Sequence, residues 1–191
     1  MEEYSYEIKI PKERVAVLIG KSGETKALIE EETNSHLNID SDEGEVRISG
    51  EDSLGLFTAR DIVRAIGRGF SPENAMLILK ADYLFELINI TDYVGKSKTS
   101  MERLKGRVIG TEGKTRKYIE EHTETIVSVY GKTIGIIGEA ETVMLARRAV
   151  ESLLSGSTHT SVYRWLEKKK RELDLKRVSF KKGDFIDDKS T

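Results

Sequence analysis

The chain has 191 residues, 38% of them hydrophobic and 34% charged, with a formal net charge of −2 and no cysteine. That length holds one domain or two small ones. The lack of cysteine excludes disulfides and thiolate metal sites and makes a cytoplasmic location the expectation. No apolar run is long enough to span a bilayer, and Met1-Glu2-Glu3 opens no signal-peptide pattern, so no membrane partner is expected. Charge is unevenly spread. Residues 1–80 carry 10 Lys/Arg against 16 Asp/Glu, and residues 81–191 carry 21 against 17, which points any polyanion to the second half.

In chain order, Tyr4 to Ile10 alternates with period two and predicts a strand stopped by Pro11. A short helix over Arg14–Ile19 leads to Gly20-Lys21-Ser22-Gly23, and a second helix follows to about Thr33. Leu37 and Ile39 mark a strand, Ser41 to Gly44 a polar turn, and Val46 and Ile48 a third strand ending at Gly50. Leu56, Ala59, Ile62, Val63 and Ile66 recur at helical steps until Gly67 and Gly69. Phe70 to Leu79 is too apolar for a free linker and reads as a short docking helix.

The same order then returns. Glu86–Tyr93 is expected as a strand, Met101–Ile109 and Lys114–Thr123 as helices, Val127 and Val129 as a strand, and Ile134 to Ile137 as its return across a Gly131-Lys132 turn. Val143, Ala146, Ala149, Val150 and Leu153 form the closing helix. Gly20 and Gly110 lie 90 residues apart, Gly50 and Gly138 lie 88 apart, and the slip falls in a turn, where length changes are tolerated. After Gly156 comes a tail with a helix expected over Val162–Leu173. Between Tyr163 and Lys182 it holds nine Lys/Arg, three Asp/Glu and the only tryptophan, Trp165.

The central motif is a doubled G-x-x-G. Val17-Leu18-Ile19-Gly20-Lys21-Ser22-Gly23 and Arg107-Val108-Ile109-Gly110-Thr111-Glu112-Gly113 each sit between two helical runs. Glycines there let the chain turn sharply and bring amides close to an anion at a helix start. One such pair is a weak signal; two in matching surroundings are a strong one.

The pattern resembles the type I KH domain, twice over, across about residues 4–155. It is carried by Ile19, Gly20, Gly23, Ile29, Thr33, Leu37 and Ile39, and again by Ile109, Gly110, Gly113, Ile119, Thr123, Val127 and Val129. The resemblance implies an α+β fold: two βααββα units in tandem in a pseudo-twofold arrangement, plus a basic C-terminal helix. The expected divisions are 1–80, 81–156 and 157–191. It also implies binding of single-stranded RNA, with the loops holding the backbone of about four nucleotides. An apolar groove would take the bases, with Ile19, Leu28, Leu37, Ile109, Tyr118 and Val127 as candidates or as plain core. The expected RNA ligands are Ile19, Gly20, Lys21, Ser22, Gly23 and Lys26 in the first unit. In the second they are Arg107, Ile109, Gly110, Thr111, Glu112, Gly113, Lys114, Arg116 and Lys117. Lys26 and Arg116 stand where an apolar residue is commoner, either as phosphate ligands or as solvated helix faces. Glu112 is an acid where a base is commoner, yet residues 101–117 hold six basic and two acidic residues against four and two in 11–27, so the second unit is expected to bind more strongly.

The junction Ala65 to Phe70, the run Lys105 to Gly110 with Gly113-Lys114-Thr115, and the tail start Ser155 to Tyr163 are similar to the archaeal ribosome-assembly KH proteins related to eukaryotic partner-of-Nob-one. That resemblance implies binding near the 3′ end of small-subunit rRNA, work with a processing endonuclease, and contact with the alpha subunit of initiation factor two. No cofactor or catalytic set is expected. His36, His122 and His159 lie in different elements without metal-ligand spacing, and Glu30-Glu31-Glu32 reads as a solvated face. The alternative is a protein-recruiting scaffold whose KH units have lost RNA, which the acidic first half keeps open.

Overall fold

The computed structural model describes residues 4–183, with side chains to Ser179; the expectations for residues 1–3 and for the tail past 183 lie outside these residues. Strand β1 (Tyr4–Lys9) stops at Pro11, after which α1 (Lys12–Ile19), the first G-x-x-G loop and α2 (Glu24–Thr33) follow. Strands β2 (His36–Asp40) and β3 (Glu45–Gly50) lead into α3 (Ser53–Gly67), whose start is capped by the Asp52 side chain. The junction forms α4 (Pro72–Ala75), capped by Ser71, and one 3-10 turn over Met76–Leu79.

In the second unit, β4 spans Tyr83–Asn89 rather than Glu86–Tyr93. A turn closed by Tyr83 N–H to Lys80 O at 3.0 Å starts it early, and Ile90 leaves the strand to bond Lys132 O at 2.9 Å before α5 (Thr91–Val94). Then come α6 (Lys98–Ile109), capped by Ser97, α7 (Lys114–Thr123), β5 (Ile126–Tyr130), β6 (Thr133–Glu139) and α8 (Ala140–Leu154). The tail helix α9 covers His159–Gly183, longer at both ends than expected. Thr158 starts it by accepting the Ser161 amide on its hydroxyl.

Each unit carries an antiparallel sheet with the last strand in the middle, in the orders β1-β3-β2 and β4-β6-β5. In the first sheet Tyr6 faces Ile48, and Ile8 and Ile39 face Val46, so one side is apolar and lies on the helices. Leu18, Ile29, Leu37, Ile48, Leu56 and Ile62 are fully buried there. The other side presents Ser5, Glu7, Lys9, Asn38, Glu45 and Arg47, alternating as period two requires.

The second sheet is different. Thr133 to Gly138 are all buried, so β6 is covered on both faces. Ile134 and Ile136 join the core of their own unit, while Ile137 joins the core of the first. Phe70 sits against Gly135, where a Cβ would lie 2.6 Å from its ring, and meets Phe85 edge to face at 6.0 Å. Ser128 donates to the Arg68 carbonyl at 2.9 Å, and the Arg64 guanidinium lies over the Phe85 ring. The counterparts of Ser128 and Gly135 in the first unit, Asn38 and Arg47, instead border an open depression of about 460 Å³. The two units repeat each other in topology, as expected. At their contact, however, non-equivalent surfaces meet, the sheet of one against the helical side of the other, rather than surfaces a twofold axis would exchange.

Candidate nucleic-acid interface

The two loops share one backbone path. Gly20, Ser22 and Gly23 have φ of 75°, 54° and 84°; Gly110, Glu112 and Gly113 have 73°, 54° and 77°. In both, the first glycine amide closes the preceding helix, onto Ala16 O at 3.0 Å and Gly106 O at 2.8 Å. A Cβ on Gly20 would collide with the Thr25 hydroxyl and lie 2.7 Å from its amide nitrogen, and Gly110 has the same conflict with Thr115. The second glycines differ: among the described residues nothing lies within 4 Å of a Cβ built on Gly23 or Gly113. The first glycine of each loop serves the fold, and the second leaves open backbone at the start of a helix. No side chain caps α2 or α7, whereas Asp52, Ser71 and Ser97 cap α3, α4 and α6. The first amide of each, Glu24 and Lys114, donates instead back into its loop, to Lys21 O and Thr111 O.

Beside each loop the second helix runs next to an edge strand, α2 beside β2 and α7 beside β5. Glu30 accepts the Leu37 amide at 2.6 Å and Glu120 accepts the Val127 amide at 2.8 Å, fastening helix to strand identically in both units. Because amide direction alternates along a strand, the half-buried Ile39 and Val129 turn their own backbone groups to the same free edge. Lys26 and Arg116 stand at the rim, 3.8 and 3.9 Å from the same carboxylates. Ile19 and Ile109 are half-buried under the loops, while Leu37 and Val127 are core.

Leu28 and Tyr118 do not belong to the groove. Two positions past the rim cation, each falls on the far side of its helix. Leu28 is exposed, and Tyr118 lies beneath α9, donating its hydroxyl to Glu167 at 2.8 Å and stacking on Tyr163 at 4.0 Å and His122 at 3.9 Å. Burial, and then the Glu167 carboxylate, push the Tyr118 phenol up to about 12. Val162 and Leu166 dock α9 on the core of the second unit, and its basic run is only partly free: Lys169 bonds Glu172 at 2.5 Å and Lys170 the Glu121 carbonyl at 3.3 Å.

Among the other expected ligands, Lys21, Ser22, Thr111, Lys114 and Lys117 are exposed. Glu112 points outward, its carboxylate 3.9 Å from Lys114 and both side chains at least 75% exposed. Arg107 is committed to the protein. Its guanidinium donates to Leu153 O at 3.1 Å and Ser157 O at 2.5 Å, closing the end of α8. Arg14 does this job in the first unit, on Ile66 O at 2.7 Å and Phe70 O at 2.5 Å. Neither role leaves a local sequence signal, since the acceptors lie 46 to 56 residues away.

Comparison with known proteins agrees with this geometry. Residues 5–65 match the KH domain model, and residues 84–171 match the eukaryotic type KH-domain model, type I, of the PNO1 second domain. A KH domain-containing protein of Methanocaldococcus jannaschii, MJ0443, is 51% identical over 177 residues, covering 91% of this chain and 76% of its own. The pre-rRNA-processing protein PNO1 of Yarrowia lipolytica is 34% identical over 113 residues, 59% of this chain, and the chain spans 44% of that protein's length. The Dim2p-type chain in the crystal structure of an a/eIF2alpha-aDim2p-rRNA complex from Pyrococcus horikoshii superposes with a TM-score of 0.82 at 48% identity, over 89% of this chain and 96% of that one. With two KH units in the observed order, paired G-x-x-G loops and these relatives, the chain belongs to the KH-domain family, as a tandem protein of the PNO1 type.

Proposed function

We propose that this chain binds single-stranded RNA as a ribosome-assembly factor, chiefly through its second unit, and acts in maturation of the small-subunit rRNA 3′ end. The observation that carries the reading is the second loop: a sterically open Gly113, a helix start without a side-chain cap, and exposed Lys114 and Lys117 beside it. Phosphates gain from amides and cations together there. The processing role and the partners rest on the relatives, one named for pre-rRNA processing and one seen with rRNA and the alpha subunit of initiation factor two. The same rRNA and factor are proposed here, with a processing endonuclease beside them and the cytoplasm as the place. The role is binding rather than catalysis.

The test is fluorescence anisotropy with a labelled small-subunit 3′-end RNA at several salt concentrations. Lys21→Asp with Ser22→Asp alters the first loop, and Thr111→Asp with Gly113→Asp the second. The second-loop variant should bind about ten-fold or more weakly, and each lost phosphate contact should lower the salt slope by about 0.7. Wild-type binding by both variants would remove the loops from the RNA site and leave the scaffold reading.

A further inference from the structure

The tail helix α9 lies along the face that α7 and α8 share. It covers Tyr118 of α7 and reaches the far end of that face. There Lys170 bonds the Glu121 carbonyl, Lys176 lies 3.6 Å from Glu141, and Arg177 bonds both Glu124 and Glu139.

The first unit starts the same cover and does not finish it. Ser71 caps α4 by accepting the Asn74 amide, as Thr158 starts α9 by accepting the Ser161 amide. The two hydroxyls lie 87 residues apart, the offset that also carries Leu56 to Val143. Ala75 and Val162 follow, both buried, at matching positions. The first run then ends at Leu79 and the chain enters β4, whereas α9 continues to Gly183.

What the rest of α9 covers is open in the first unit. Leu28 stands at the position of Tyr118 and is 45% exposed, and Leu54 stands at the position of Glu141 and is 73% exposed. Glu24, Glu31 and Glu32 lie one turn from Leu28 on α2, and Glu51 and Asp52 precede α3 where Glu139 precedes α8. All five acids are exposed, and none has a cation within ion-pair distance among the described residues.

The place of Arg177 is a hollow. Asn34 and Glu124 are the left-handed residues that close α2 and α7. In the second unit Arg177 fills the space between Glu124 and Glu139. In the first, Asn34, His36, Ser49 and Glu51 line an open depression of about 270 Å³.

We propose that the α2–α3 face of the first unit docks a basic amphipathic helix of a partner protein, seated as α9 is seated on α7 and α8. Leu28 and Leu54 meet its apolar stripe, the five acids face its Lys and Arg side chains, and the hollow takes one of these. The acidic rim turns phosphate away, so this face and the RNA loops sort two classes of ligand on one chain. The docking face shares no residue with the second loop and stands whether or not that loop binds RNA.

The test uses the full chain and a fluorescein-labelled helical peptide of leucine and lysine, about 18 residues long so that it folds on a surface. A matching peptide of leucine and glutamate is its control. Anisotropy should show the lysine peptide bound at low salt, more weakly as salt rises, and the glutamate peptide unbound. Leu28→Ser and Leu54→Ser leave the charge unchanged and should each weaken the lysine peptide about five-fold or more, because each removes a leucine from the buried stripe. Both positions are exposed, so the melting temperature should hold. Met144→Ser, at an exposed apolar residue of the second unit, should bind the peptide as wild type does. Failure of the lysine peptide to bind, equal binding of the two peptides, or wild-type binding by both leucine variants overturns the proposal. Loss of single-stranded RNA affinity in the leucine variants overturns it as well, since the face would then belong to the RNA surface. So does a dimer in sedimentation that Leu54→Ser dissolves, because a second copy would then be the occupant.

Discussion

Tyr130, the last residue of β5, donates its phenolic hydrogen to Glu13 in the first turn of α1, across 2.6 Å and 117 positions of sequence. The bond holds the Glu13 carboxyl below its ordinary range and raises the Tyr130 phenol. It also ties the open edge of the inter-unit contact, whose centre is Phe70 against Gly135.

The centre should matter more than the edge. Gly135→Val places methyl groups where the Phe70 ring already stands and should cost about 1–3 kcal/mol by overpacking. Tyr130→Phe removes only a solvent-facing bond and should shift the calorimetric midpoint far less. Because the Glu13 pKa is depressed, that bond supports folding above the ordinary carboxylate pKa and loses its effect as pH falls through the lowered one. The difference between wild type and Tyr130→Phe should accordingly fade in acid.

The two glycines of a loop should separate fold from binding. Gly110→Ala meets Thr115 head-on and should lower the urea midpoint strongly. Gly113→Ala meets no atom and should carry only the left-handed backbone cost, about 1–2 kcal/mol. Equal losses for the two would contradict the open position of Gly113.

Arg107 and Lys114 should separate in the same way. Arg107→Met strips two carbonyls of a charged donor and should cost about 2–3 kcal/mol in chemical denaturation. Lys114→Met should leave stability within about 0.5 kcal/mol, as exposed substitutions do, and act on RNA affinity instead.

Tyr118 reports on α9. In the full chain its phenol is raised to about 12, first by burial. Truncation after Gly156 should return it to about 10, the exposed value, visible as the one component of the tyrosine ultraviolet titration that is missing from Tyr118→Phe. A raised pKa means that the docked state holds the proton more tightly. Its stabilisation is whole below about 10 and is lost as pH climbs from there towards about 12, so α9 should loosen in that window. Truncation should also lower the melting temperature, since Val162 and Leu166 lose their burial.

Much of the fold was readable from periodicity and glycine placement: Tyr6 and Ile8 against Val46 and Ile48, the helix from Leu56 to Ile66, and the two loops. Element ends were less so, because β4 and α9 begin at a turn and a hydroxyl cap rather than at a change of hydropathy. The unbroken Thr133 to Ile137 run carried the sign that β6 is covered twice, but a short apolar run does not say what covers it. The site divided likewise. Loop backbones were local and visible, whereas the Arg107 anchor and the α9 cover on Tyr118 join positions 46 to 50 residues apart, and nothing nearby in sequence marks them.

The lopsided contact between the units also sets an order of assembly. The first sheet, polar on its outer side, is complete as soon as its own helices close over it. The second carries Tyr83, Phe85, Ile126 and Ile137 on a face that only the first unit covers. A chain emerging from the ribosome makes its leading domain first, so the support exists before the surface that needs it. Exchanging the two units in a circularly permuted gene would put the greasy face into water ahead of its cover, and such a rearranged chain would meet chaperones and neighbouring copies before it met its own other half.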